Sequence, residues 1–144
     1  MDMVIKKTSE LSIEELTRIF IERVKVFVVE QDCAYQEVDE EDFNAKHAIV
    51  KDGENIAAYA RLLEDEEAVR IGRVIVVKDY RGSGLSTKML QFILKNIDHS
   101  KPVRLSAQTY IKHMYESVGF KTISDEYLED DIPHVDMELV EPNG

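Results

Sequence analysis

Cysteine is nearly absent from this chain: Cys33 stands alone among 144 residues. A single thiol excludes an internal disulfide and a multi-cysteine metal site. Tryptophan is missing, and the three prolines, Pro102, Pro133 and Pro142, fall outside the periodic apolar segments. With no repeat, low-complexity tract or Pro/Gly/Ser-rich linker, residues 1–144 read as one domain. Apolar runs are short as well. The longest, residues 56–60, holds five residues, against the roughly 20 that a membrane span needs. The opening residues, MDMVIKK, lack the apolar stretch of a signal peptide, so the expected location is cytoplasmic. Positive charge is also scarce, since 18 Lys+Arg face 29 Asp+Glu for a formal net charge of −11. That balance argues against nucleic acid and against a polybasic attachment to a membrane. A solvated acidic surface is its plain consequence, and a cationic small partner such as an amine is the sharper one.

What is present is periodicity. Residues 3–7 form a short apolar start, read as a first strand. Ser12 and Glu15 have the spacing of a capping box. After them Ile13, Leu16, Phe20, Val24 and Phe27 mark one face of a long helix. Residues 46–51 and 56–63 read as a hairpin around Asp52-Gly53. Residues 69–77 read as a strand whose alternation breaks at Gly72, which predicts a bulge or a close approach to the backbone. A helix follows Gly84, with Leu85, Met89, Phe92, Ile93 and Ile97 on one face. Val103, Leu105 and Ala107 alternate as a strand, and Ile111, Met114, Tyr115 and Val118 form a short helical stripe that Gly119 ends. Residues 120–127 and 135–140 read as the last strands. The acidic clusters at 37–42, 64–67 and 125–131 read as loops or strand ends. Hairpins beside strand–helix–strand units predict an α/β fold: a mixed sheet with helices on its faces.

The most informative stretch runs from Val74 to Thr87. An apolar strand enters a Gly82-Ser83-Gly84 turn and passes directly into an amphipathic helix. Small residues let consecutive N–H groups converge, and the open donors of a helix start favour an anion such as a diphosphate. Lys78, Arg81 and Lys88 surround the turn with only Asp79 close in sequence. The residues alone leave open a plain glycine turn capping a helix. A P-loop is excluded because Leu85-Ser86 stand where Lys-Ser/Thr is required. The dinucleotide fingerprint is excluded because Thr87 stands where glycine or alanine is required.

Arg81-Gly82-Ser83-Gly84-Leu85-Ser86 resembles the acyl-CoA diphosphate loop of the GNAT N-acetyltransferase superfamily. Met114-Tyr115-Glu116-Ser117-Val118-Gly119-Phe120 resembles its later Tyr-Glu-x-x-Gly-Phe segment. Further stretches resemble its ElaA-like branch: Val26-Phe27-Val28-Val29-Glu30-Gln31, Ala60-Arg61-Leu62-Leu63, Ile71-Gly72-Arg73-Val74, Leu105-Ser106-Ala107-Gln108 and Ile132-Pro133-His134. The match spans residues 23–137. It departs at Ser86, where Gly or Ala is usual, and at Ala34, where proline often follows the cysteine.

The resemblance implies a GNAT-type acyl-CoA N-acyltransferase fold, acetyl-CoA as cosubstrate, no metal and a small amine as acceptor. It assigns the diphosphate to backbone N–H groups of Gly82, Ser83, Gly84, Leu85, Ser86 and Thr87, beside Arg81. It assigns the pantetheine arm to the strand Val74, Ile75 and Val76, with Gln108 holding the strands or the cofactor. Tyr115 becomes the general acid, since a phenol can protonate a leaving thiolate of comparable basicity. For the base two residues stay open: His134, because an imidazole exchanges protons near neutral pH, and Glu30 acting through water. Packing roles for the same residues also stay open: a core tyrosine, a strand-end histidine, and a carboxylate paired with Arg23. His47 and His134 lack the short spacing of a zinc site. Cys33 reads as an unreactive thiol. A catalytically idle CoA-binding sensor on the same fold is the alternative function, and a sheet edge could pair two copies into a homodimer.

Overall fold

The computed structural model describes residues 1–140. Eight strands form one sheet: β1 (Asp2–Lys7), β2 (Lys46–Asp52), β3 (Asn55–Glu64), β4 (Val69–Val76), β5 (Val103–Gln108), β6 (Phe120–Thr122), β7 (Tyr127–Glu129) and β8 (Ile132–Leu139). Their order is β1-β2-β3-β4-β5-β8-β6, with β7 paired to β8. Among the described strands only β4 and β5 run parallel. The expected mixed sheet is therefore present. Three α-helices flank it: α1 (Ile13–Val24), α2 (Leu85–Lys95) and α3 (Lys112–Ser117). Among the described residues no helix is long and apolar enough to cross a membrane.

Both faces of the central strands are covered, which explains the unbroken apolar run at 56–60. Ala48, Val50, Ala58, Ala60 and Leu62 pack against Leu85, Met89, Leu90 and Ile93 of α2. Ile49, Tyr59 and Ile75 turn to the opposite face and meet Ile19 of α1. A strand buried on both sides loses the simple alternation of a half-exposed one. The β2–β3 hairpin closes through Gly53 and Glu54, with Asp52 paired to Asn55. Gly53 takes φ +61, the left-handed first position of a type II′ turn that glycine meets without strain.

Four sequence readings need correction. The first helix does not run unbroken to Phe27; it ends at Val24 and continues as a π-helical turn, Lys25–Glu30. The segment read as one strand over 120–127 is two short strands, β6 and β7, pairing with different parts of β8. Strand β8 begins at Ile132, three residues earlier than expected, because the Asp130-Asp131 turn brings β7 back onto it. The acidic run 37–42 is irregular chain and a 3-10 turn, in keeping with the loop reading, but it is not wholly solvated. Glu37 is 3 % exposed and Asp42 5 % exposed, and both face Arg23, which is fully buried.

Arg23 donates through Nε to Glu37 Oε1 at 2.8 Å and through its two terminal nitrogens to Asp42 at 2.7 and 3.1 Å. A further bond reaches the Glu37 carbonyl at 3.0 Å. The guanidinium also lies over the rings of Phe20 and Tyr59. Arg61 extends the network to Asp39 and Asp42. Its pairs hold Asp42 below the ordinary carboxylate range although burial opposes this, and hold Arg23 firmly charged despite its desolvation. Removing one partner from such a network strands a buried opposite charge. Arg23→Ala is therefore expected to cost about 3–5 kcal/mol, measured as the shift in urea midpoint with the slope unchanged.

Beside this network sits His47, fully buried on β2. Its Nδ1 lies 2.5 Å from the Tyr59 hydroxyl and its Nε2 2.7 Å from Thr8 Oγ1. The single Thr8 hydroxyl proton goes to the Asp42 carbonyl at 2.6 Å, so Nε2–H donates to Thr8 and Nδ1 accepts from Tyr59. Each bond suits a neutral ring, and a second proton would break the Tyr59 donation. Burial, then the nearby Arg23 charge, lowers the His47 pKa from 6.5 to about 4. Between those values the unfolded chain binds a proton that the folded chain refuses. Stability from this group is thus complete above pH 6.5 and is lost as pH falls toward 4, on the order of 3 kcal/mol. Urea titrations at pH 7 and pH 4.5 are expected to show the loss, and His47→Gln should flatten it.

Candidate active site

Strands β4 and β5 pair only at Val69–Val103, Arg70–Arg104 and Ile71–Leu105. Beyond Ile71 they part. On its other edge β4 stays with β3 as far as Val76, but with a shifted register. Arg61 opposes Gly72 and Tyr59 opposes Ile75, so Arg73 and Val74 together oppose Ala60. The sequence pointed to Gly72 for this bulge, yet the left-handed residue is Arg73, at φ +52. A non-glycine residue rarely adopts that conformation without something to hold it. Here Arg73 Nε donates to Glu37 Oε2 at 2.5 Å, and its guanidinium lies over the Tyr35 ring, 5.6 Å from its centroid. Glu37 thereby joins the buried Arg23 to the parting strand.

The gap between the strands is a cleft of about 700 Å³. Val74, Ile75, Val76, Arg81 and Gln108 line it, as do Tyr115, His134 and Glu30. Residues from opposite ends of the chain are thus brought to one cavity. Residues 72–76 have no strand partner on the β5 side, which leaves backbone groups open to the cleft.

At the end of β4 a turn leads into α2. Gly82 and Gly84 have φ +86 and +75, and a Cβ added to either would meet nothing within 4 Å. Left-handed backbone facing open space is where glycine alone is unstrained. Gly84 caps α2 without any side-chain acceptor. Among the described residues, the backbone N–H groups of Gly82, Ser83, Gly84, Leu85, Ser86 and Thr87 find no acceptor within the chain. Ser83 turns its hydroxyl away, donating to the Tyr80 carbonyl at 3.0 Å. The result is a row of free donors at a positive helix end, suited to a diphosphate. One sequence reading changes here: the basic cluster has an opponent. Arg81 donates to Glu30 Oε2 at 2.9 Å and to the Val76 carbonyl at 2.8 Å. Glu30 accordingly belongs to Arg81 and makes no pair with Arg23.

Tyr115 is 4 % exposed, set edge-on to Phe120, and its hydroxyl has no partner among the described residues. Burial pushes its pKa well above the ordinary phenol value, with the Tyr110 hydroxyl adding a little, so the group stays protonated. His134 is 8 % exposed and stacks on Tyr127. Its Nδ1 lies 2.7 Å from the Ile132 carbonyl. A carbonyl only accepts, so Nδ1 carries the proton and the neutral ring keeps its lone pair on Nε2. That atom lies 3.5 Å from Glu129 Oε2. Gln108 pairs with His134 across β5 and β8 and reaches Gln31 at 3.5 Å. No cluster of His, Cys, Asp or Glu able to hold a metal is found among the described residues.

Sequence reading missed Arg73, Tyr35, Glu37, Glu129 and Asp130. For Arg73 a signal existed in the broken alternation after Gly72. For Glu129 and Asp130 the paired aspartates between Leu128 and Ile132 were a turn signal hidden inside a longer acidic run.

The sequence pattern of the acetyltransferase (GNAT) domain family matches residues 8–141. A UPF0039 protein of Schizosaccharomyces pombe is 44% identical over 145 residues, covering 96% of this chain and 97% of its own. Protein ElaA of Escherichia coli is 39% identical over 137 residues, covering 90% of both. Its crystal structure superposes with a TM-score of 0.92 over 97% of this chain and 100% of that one, at 36% identity. An acyl-CoA N-acyltransferase from Pseudomonas aeruginosa superposes with a TM-score of 0.91, at 36% identity over the same shares. The chain belongs to the GNAT acetyltransferase family and is an ElaA-like member of it.

Proposed function

We propose that this acyltransferase-family chain is an acetyl-CoA-dependent N-acetyltransferase that acts on a small amine by direct transfer. One observation carries the reading: the parting of β4 from β5 leaves open backbone between a donor-lined turn and an unpartnered, buried phenol. The donor row suits a diphosphate, and free strand amides suit an arm that itself contains amides, as in strand addition. Neither surface has another evident use. Acetyl-CoA would supply the activated acyl group.

In this reading the free N–H groups of Gly82, Ser83, Gly84, Leu85, Ser86 and Thr87 hold the diphosphate. Backbone groups of Val74, Ile75 and Val76 align the arm. An N–H in this stretch polarises the thioester carbonyl, a donation typically worth ~3–4 kcal/mol in a dry site. His134 Nε2 takes the proton of the incoming ammonium. The amine nitrogen then bonds to the acyl carbon, the carbon–sulfur bond breaks, Tyr115 gives its proton to the departing sulfur, and the proton that the nitrogen sheds on becoming an amide returns to the Tyr115 oxygen. Burial keeps the phenol protonated until the sulfur departs, and it also makes the phenol a weaker acid than a free one, so the proton moves only as negative charge builds on the sulfur. Glu30, the other candidate base, is engaged by Arg81, which favours His134.

Thiol release from acetyl-CoA across an amine panel tests the reading. Tyr115→Phe is expected to lower kcat by about 100-fold or more with little change in KM for acetyl-CoA, and an unchanged kcat would remove Tyr115 from the role. Acetyl-CoA is also expected to raise the melting temperature of the wild-type chain. A thermal shift without turnover of any amine would favour the idle CoA-binding module instead, and no shift at all would dismiss both.

A further inference from the structure

The cleft is not uniform in charge. The turn between β7 and β8 consists of Asp130 and Asp131, left-handed at φ 52 and 63. This places Glu129 and Asp130 on the cleft wall beside Ile132 and His134. Asp32, from the other side, adjoins Cys33. The Cys33 thiol lines the cleft and is held above its ordinary pKa by burial, then by the charges of Asp130, Asp131 and Asp32. Glu129 and Asp130 thus put two carboxylates on this stretch of the wall, with Asp131 next in the chain.

None of the three aspartates has a cationic partner among the described residues, and Glu129 meets only His134. The two arginines of the cleft are already engaged, Arg73 by Glu37 and Asp39, Arg81 by Glu30. Tyr115, 4 % exposed, lines the same cavity with a hydroxyl that has no partner among the described residues, a group left for a ligand to meet. The apolar stretch of wall from Val26, Phe27 and Ile132 suits a methylene chain.

Resting on the acetyltransferase reading above, we propose that the acceptor is a diamine or polyamine, whose second ammonium sits against Asp130 and its neighbouring carboxylates while the first amine is acylated. The amine that reacts must lose a proton, so it belongs beside His134 rather than among carboxylates that would keep it charged. A second ammonium has no such constraint and relieves the uncompensated negative charge. An amine that carries a carboxylate meets repulsion at the same place.

Thiol release is compared for 1,4-diaminobutane, butylamine and 4-aminobutanoate, which share a reacting amine and differ at the far end. The expected kcat/KM falls about tenfold from the diamine to butylamine and about tenfold again to the amino acid. Raising NaCl to about 0.5 M should erode the diamine's advantage, because exposed charges are screened. Asp130→Asn should bring the diamine-to-butylamine ratio to within about twofold of one; asparagine tolerates the left-handed turn, so the hairpin is retained. Butylamine or 4-aminobutanoate matching the diamine, or a ratio unmoved by both salt and Asp130→Asn, overturns the proposal. So does release with other amines of the panel but with none of these three, which leaves the acetyltransferase reading standing. No release with any amine overturns that reading itself.

Discussion

Glu37 holds two arginines at once, and the site depends on that grip. One carboxylate oxygen receives Arg23 from the buried face of α1, and the other receives Arg73 from the bulge of β4. Arg73 occupies a conformation that a side chain rarely takes unaided. The contact therefore turns a costly backbone angle into a fixed one. Strand β4 leaves β5 at this point, and the cleft exists because it does. The charges also balance: Arg23, Arg61 and Arg73 meet Glu37, Asp39 and Asp42. Buried pairs of this kind add little net stability over an apolar core, but they admit few alternative arrangements.

Two kinds of polar group stand in and beside the cleft, whose lining includes Arg81 but none of residues 82–87. At the turn before α2 the groups are backbone donors, fixed in direction and without a proton to lose. At the far end they are side chains, Tyr115 and His134, whose burial and hydrogen bonds fix which atom holds a proton. Tyr115 is kept protonated by desolvation, and the Ile132 carbonyl leaves the His134 lone pair on Nε2. Glu30 also lines the cleft and is tied to Arg81, so its charge is already partly neutralised. The uncompensated negative charge collects instead at the Asp130-Asp131 turn.

Much of this was legible in advance. The capping box at Ser12 and Glu15 forms as expected, with both reciprocal bonds at 3.0 Å. The α2 stripe and the glycine turn before it were readable because each depends on residues adjacent in sequence. Tyr115 on its helical stripe was readable for the same reason. Continuation of the first helix failed because Val26 and Phe27 still pack on the core from the π turn, and the expected stripe was itself only partly right, since Ile13 and Val24 are exposed while Ile19 and Arg23 are buried. The split of 120–127 failed because two short strands pairing with one partner look like a single apolar run. Glu37 and Asp42 failed because composition weighs a carboxylate the same whether it meets water or a guanidinium.

Sequence alone determined most of the elements, the mixed sheet and the glycine turn before α2, since those follow from local spacing and from side-chain chemistry. Tertiary structure alone decided which of them share a cavity. It gave Glu30 to Arg81, Arg23 to Glu37 and Asp42, and the left-handed angle to Arg73. Such pairings join residues as far as 51 positions apart in the chain. Their energy depends on desolvation and distance, which exist only once the sheet and helices have packed.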